Sequence, residues 1–264
     1  MEYEDIIYTK EDCIATITLN RPDRMNSFSR AMTLSIKKAV EDCAADDSVR
    51  VLVITATGRA FCAGADVKNM ATNLDSGEKQ QMDKRTEENI FKLAEVLQKL
   101  EKPIIAAING VAVGGGLDFA CACDIRIASD TARFAEVFIR RGLIPGAGGT
   151  YFLPRLVGID RACQLIWTGD MIDAREAERI GLVTKVVPHD ELEHATRELA
   201  EKLAKGPPLA IKMAKRAIYE GLSMDLASSL EYVAPMVREL WETEDHREGA
   251  KAFIEKREPV FKGK

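Results

Sequence analysis

Two glycine-rich corners carry the clearest capacity for chemistry in this 264-residue chain. The first reads Ala60-Phe61-Cys62-Ala63-Gly64-Ala65-Asp66, and the second Gly114-Gly115-Gly116-Leu117-Asp118. Small residues let the backbone come close to a ligand. If a helix begins at such a corner, its first N–H groups lack intrahelical acceptors and favour developing negative charge. Two of them aimed at one oxygen would make an oxyanion hole. Tight packing of strand against helix would call for the same glycines, and the residue types do not separate the two readings. Asp118 follows the second corner directly. It is a candidate acid/base, or a helix-start carboxylate that only satisfies backbone donors.

Other chemistries lose weight on inspection. The three histidines are His189, His194 and His246, all in polar surroundings. His189 and His194 lack the spacing of an H-E-x-x-H zinc helix. No G-x-S-x-G, G-x-x-x-x-G-K-[ST] or G-x-G-x-x-G occurs, so a nucleophile elbow, a P-loop and a dinucleotide fingerprint are all missing. Neither a metal nor a redox cofactor is expected. The six cysteines, Cys13, Cys43, Cys62, Cys121, Cys123 and Cys163, form no C-x-x-C pair and read as reduced, buried thiols. A net charge of −5 argues against broad nucleic-acid binding. No apolar run approaches the roughly 18 to 20 residues that span a bilayer. The acidic N-terminus lacks a signal-peptide pattern, so a cytoplasmic location is expected.

The elements that must hold the corners are legible from periodicity. Cys13, Ala15, Ile17 and Leu19 alternate with polar neighbours as in a half-buried strand, with Ile14 the imperfect member. Ser29 can cap a helix with the stripe Met32, Ile36, Val40 and Cys43. Val51 to Thr55 is a short buried strand. Residues 71–84 are polar and read as a mobile loop. A helix then carries Ile90, Leu93, Leu97 and Leu100 on one face and stops before Pro103. Ile104 to Ile108 and Ile125 to Ala128 are further strands. Alternation of strands and helices to about residue 190 argues an α/β fold. The remainder is helical, with Gly206-Pro207-Pro208 between two stretches.

At the two corners the chain resembles the crotonase superfamily, the enoyl-CoA hydratase/isomerase family. Asn20-Arg21-Pro22 with Asn26, Phe61 to Asp66, Asn109-Gly110 through Gly116 and Cys123-Asp124-Ile125-Arg126 carry the likeness. So do Gly142-Leu143-Ile144-Pro145-Gly146-Ala147-Gly148-Gly149-Thr150 and the tail from Glu244-Asp245 to Phe253-Ile254-Glu255-Lys256-Arg257. Their order and spacing together make the resemblance specific. It implies a spiral of ββα units over residues 1–195, followed by a helical trimerisation region over 196–264. It implies a homotrimer or a dimer of trimers, with the apolar face of Leu226, Leu230, Val233, Met236, Val237 and Leu240 available for assembly. It also implies an acyl-CoA substrate whose thioester oxygen is held by the N–H groups of Ala65 and Gly115. Coenzyme A would then enter as part of the substrate. Ala63, Asp66, Arg24 and Lys68 are candidate substrate contacts, and Phe261 and Lys262 would reach a neighbouring subunit's nucleotide.

The pattern departs from that family at one informative point. Its hydratases commonly use two glutamates around one water. The first position here is Asp118, a methylene shorter. The second ends the stretch Phe134-Ala135-Glu136-Val137-Phe138, so an apolar ring stands where a carboxylate is expected. Either Glu136 reaches in from two residues away, or it is an exposed or salt-bridged glutamate and Glu136→Gln should change hydration little. In the second case Asp118 alone would move a proton between carbons, as in double-bond isomerisation. Phe138 is similar to a residue of isomerases that act on ring-derived acyl-CoA, although those carry an aspartate where this chain has Gly146. Hydration of a 2-enoyl-CoA leads, isomerisation is the alternative, and a non-catalytic CoA-binding or RNA-binding relative is the third reading. The acidic balance and the intact corners count against the third. Arg140-Arg141 has no role in any of them.

Overall fold

The structure is a computed structural model that describes residues 3–65 and 84–264, with side chains of the second stretch from Lys92 onward. The expected loop over 71–84 therefore lies outside the described residues, apart from Lys84. Among the described residues, ten strands form two sheets. The large sheet takes β1 (Ile6–Glu11), β2 (Ile14–Leu19), β3 (Val51–Ala56), β5 (Ile104–Ile108), β7 (Ile125–Ser129) and β10 (Lys185–Val187), in that order. The small sheet takes β4 (Ala60–Cys62), β6 (Val111–Val113), β8 (Arg133–Ala135) and β9 (Ile172–Asp173). All pairings are parallel except β1 with β2 and β8 with β9.

The successive pairs β3/β4, β5/β6 and β7/β8 each send their first strand to the large sheet and their second to the small one. Each pair leads into a helix. These are α2 (Lys84–Lys99), α3 (Gly115–Cys121) and, after a 3-10 turn over Val137–Arg141, α4 (Gly149–Val157). This repeat is the expected ββα spiral. It places the ends of β4, β6 and β8 side by side, so residues just after those strands meet although they are far apart in sequence.

Before the spiral, α1 (Arg30–Ala45) starts as the sequence predicts, with the Ser29 hydroxyl accepting the Met32 N–H. Its stripe of Met32, Ile36, Val40 and Cys43 is buried. The large sheet is covered on both faces, which explains its near-continuous apolar strands. Ala15, Ile17, Leu19, Leu52, Ile54, Ile104 and Ile108 face the core between the sheets. Ile14, Val51, Val53, Ile105, Ala107 and Ile127 face a second core under α7 (Leu192–Ala204). Ile14 is thus a regular member of a strand buried on both sides. Cys13 instead sits exposed in the turn before β2 with φ 64°, and Cys163 is half-buried, so only four of the six thiols are buried. The expected break between residues 195 and 196 falls inside α7, whose Ala200 and Ala204 pack on the sheet.

Between the spiral and that helix lie α5 (Ile159–Thr168) and α6 (Ala174–Arg179). After α7 come α8 (Pro208–Gly221), α9 (Leu226–Trp241) and α10 (Glu244–Glu255). α9 has no buried residue, with Leu226 76% and Leu230 62% exposed. No described helix is long and apolar enough to cross a membrane.

Candidate active site

The two corners meet. Gly64 adopts φ 77°, and a Cβ there would stand 3.0 Å from the Gly115 N and 2.9 Å from the Val113 O. Gly116 lies against β4, since a Cβ would fall 2.1 Å from the Cys62 O. A side chain at either position would force the corners apart. Gly114 caps α3 with φ 53°, and Gly115 opens that helix as expected. Neither the Ala65 N–H nor the Gly115 N–H has an acceptor among the described residues. The Phe28 ring lies beside both corners. Its N–H donates to the Gly64 O at 2.8 Å, and a Cβ on Gly115 would be 3.8 Å from its Cε2. Phe28, Leu93, Ala94, Gly115, Phe119 and Ala147 enclose a narrow apolar slot at this point.

Asp118 and Glu136 are both fully buried beside this slot. Asp118 stands in the first turn of α3 and turns toward the start of α4. Its Oδ2 accepts the Ala147 N–H at 3.0 Å, and the Gly149 N–H supports it from the same side. Gly149 must be glycine here, because a Cβ would fall 2.1 Å from Asp118 Oδ1. Glu136 follows β8 two residues after the core residue Phe134, and residues two apart on a strand share a face. It therefore points inward. The reading of Glu136 as an exposed or salt-bridged glutamate is overturned.

The two carboxyl groups couple. Desolvation raises the Asp118 pKa, while hydrogen bonding from Glu136, Ala147 and Gly149 holds the rise back. Desolvation raises Glu136 further, and the charge of Asp118 pushes the same way. Asp118 Oδ1 and both Glu136 oxygens lack any donor among the described residues. A proton on one carboxyl can donate to the other. Physically, two buried carboxyls with no cation beside them among the described residues do not both ionise, so one proton stays. It rests on Glu136, because only Asp118 has backbone N–H groups to stabilise its charge.

The remaining candidates scatter. The Phe138 ring is half-buried against Gly114, its Cε2 3.6 Å from where a Cβ there would stand. It forms a wall of the site. Ala63 donates its N–H to the Met25 O at 3.0 Å, and Arg24 is exposed on the one-turn helix just before Met25. Asp66 and Lys68 lie outside the described residues. The Phe261 O accepts from Arg50, at the opposite end of β3 from the corners, and the Lys262 N–H donates to Asp245. Phe261 and Lys262 therefore do not reach their own chain's site. The three histidines are exposed, as expected. Among the described residues, Arg140 makes only a long ion pair with Asp170, 3.7 Å. Sequence reasoning missed the Asn26 side chain, which is fully buried beneath the first corner. Its motif was visible, but its contacts were not.

Fold and site define an α/β spiral protein with two backbone donors, without an acceptor among the described residues, beside a buried acid pair. A sequence model of the enoyl-CoA hydratase/isomerase family matches residues 9–264. The chain is 40% identical to the crotonyl-CoA hydratase of Syntrophomonas wolfei over 262 residues, 99% of each chain. It is 39% identical to the short-chain-enoyl-CoA hydratase of Clostridium acetobutylicum over 259 residues, 97% of each. The crystal structure of an enoyl-CoA hydratase from Bacillus anthracis superposes with a TM-score of 0.94 at 38% identity, covering 99% of this chain and 100% of that one. The chain belongs to the enoyl-CoA hydratase/isomerase family and is an enzyme of it.

Proposed function

We propose that the enzyme adds water across the double bond of a 2-enoyl-CoA, with Asp118 and Glu136 as its acid/base pair. The buried pair beside the Gly115 N–H is the observation that carries this reading. Coenzyme A enters with the substrate, and no further cofactor takes part. The thioester oxygen accepts from the Ala65 and Gly115 N–H groups, an oxyanion hole for the enolate. Removal of one such donor typically costs about 3 to 4 kcal/mol of transition-state stabilisation. Water attacks C3 and yields a proton to the ionised Asp118. Protonated Glu136 delivers its proton to C2. The C2–C3 π bond is lost, one C–O and one C–H bond form, and the pair again holds one proton.

A second reading rests on Phe138. An apolar ring against Gly114 expels water from the place where a second carboxylate is expected. The same pair could then carry a proton from one carbon to another and isomerise the double bond. Rates on crotonyl-CoA and on a 3-enoyl-CoA separate the two. Fast hydration that is lost in both Asp118→Asn and Glu136→Gln supports the hydratase. Slow hydration with fast 3-enoyl-CoA turnover supports the isomerase. Retention of near-wild-type kcat on both substrates in Asp118→Asn removes Asp118 from the chemistry and leaves it a helix-start carboxylate.

The enzyme works as a trimer or dimer of trimers in this proposal. Ile218 on α8, Leu222 just after it, and Leu226 and Leu230 on α9 are all more than half exposed in the single chain, apolar surface that water disfavours. Arg24 and Lys68 would meet the CoA phosphates, with Lys262 supplied by a neighbouring subunit. A cytoplasmic location fits this role. Light scattering that finds a monomer at micromolar concentration overturns the assembly.

A further inference from the structure

We infer that Asn26 is a positioning residue for the first oxyanion donor, the Ala65 N–H. The inference rests on the reading of the two corners as an oxyanion hole. Asn26 is wholly buried, and its amide is fully used. Its Oδ1 accepts the Arg21 N–H at 2.7 Å. Its Nδ2 donates to the Thr57 O at 2.8 Å and the Ala60 O at 2.7 Å, the two shoulders of the turn between β3 and β4. One side chain thus bolts the segment Arg21–Phe28 to both sides of the turn from which the first corner emerges.

The bolted segment also holds the corner's backbone directly. The Met25 O accepts the Ala63 N–H, and the Phe28 N–H donates to the Gly64 O at 2.8 Å. Phe28 and Ala65 form an isolated parallel bridge. Met25 and Asn26 hold φ of 51° and 52°, a left-handed pair that turns the Met25 carbonyl toward Ala63. Asparagine tolerates that conformation better than most residues. The Ala65 N–H lies beyond the end of the three-residue strand Ala60–Cys62, so it has little sheet of its own to hold it. Asn26 supplies that rigidity through the Ala60 carbonyl, 34 positions away in sequence.

Asn26→Asp keeps the size and the acceptor but removes both donors. Asn26→Gly keeps the left-handed backbone and removes the amide altogether. Each is assayed well below its own melting temperature, so that the folded enzyme is read. The measurements are kcat and KM on the best acyl-CoA substrate, the Kd for coenzyme A alone, and the infrared carbonyl stretch of a bound acyl-CoA carrying ¹³C at the thioester carbon. A misplacement of about 1 Å can cost on the order of a hundredfold, so kcat should fall about tenfold to a hundredfold. KM and the coenzyme A Kd should move within about threefold, the pattern of an interaction made in the transition state. The carbonyl band should lose most of its hydrogen-bonding downshift in both variants and keep it in Glu136→Gln. A full downshift with wild-type kcat in either folded variant overturns the positioning role. A wild-type band with no downshift overturns the oxyanion reading itself, a failure distinguishable from the first.

Discussion

Asp118 and Asp124 are six positions apart, and their surroundings are opposites. Asp124 closes a paired cluster. It accepts the Ile104 N–H at 2.8 Å, the Lys215 ammonium at 2.8 Å and the Tyr219 hydroxyl at 2.6 Å. Lys215 also donates to the Lys102 O, so the pair ties α8 to the head of β5. Asp118 faces another carboxyl, with no cation among its described partners. A buried charge that is paired and hydrogen-bonded serves the fold. A buried acid left facing another acid costs stability, and that cost is a mark of chemistry. The contrast is one of role: Asp124 joins elements, whereas Asp118 and Glu136 are the pair assigned to proton transfer in the proposed reaction.

The sharpest way to break it is at the acid pair. Asp118→Asn and Glu136→Gln should each lower kcat by about 10² to 10⁴, the usual contribution of a general acid or base, measured as hydration of crotonyl-CoA. Wild-type turnover in Glu136→Gln would move that residue out of the proton-moving class. Phe138→Glu places a carboxylate where the ring now stands, and in the Glu136→Gln background it should recover about tenfold of the lost hydration, a part of what one acid/base group supplies.

Asp124 should respond in the other way. Lys215→Met keeps the stem but leaves Asp124 short of its cation, and should destabilise the protein by about 3 kcal/mol in denaturant titration. Its kcat well below the melting point should stay within about twofold, because kcat reports only groups whose interactions change on reaching the transition state. A large loss of kcat in the folded variant would undo the sorting.

The most gradual effect is one of pH. A carboxyl whose pKa is raised by folding binds its proton more tightly folded than unfolded. Its contribution is fully present below the ordinary glutamate value of 4.5 and is withdrawn as pH climbs toward the raised value. Wild type should therefore lose stability relative to Glu136→Gln across that window, by at most about 1.4 kcal/mol per pH unit. Melting curves of the two proteins from pH 4 upward should diverge in that direction. Parallel curves would mean that Glu136 is not held protonated.

Local pattern alone determined much of this protein. The Ser29 cap, the stripe of α1, the β-branched runs of β3, β5 and β7, and the glycines of both corners follow from steric and periodic rules that act within a few residues. The motif order assigned the family. Tertiary structure decided the rest. Ile14 breaks the alternation of β2 only until a second core is seen on the sheet's other face, and Cys13 leaves that strand because its turn requires a left-handed residue. Glu136 looked displaced from its site. Only the adjacency of β6 and β8 brings it to Asp118, and only the exclusion of water there raises the pKa of both carboxyls. Desolvation depends on what closes around a group, and residues far away in the chain do the closing.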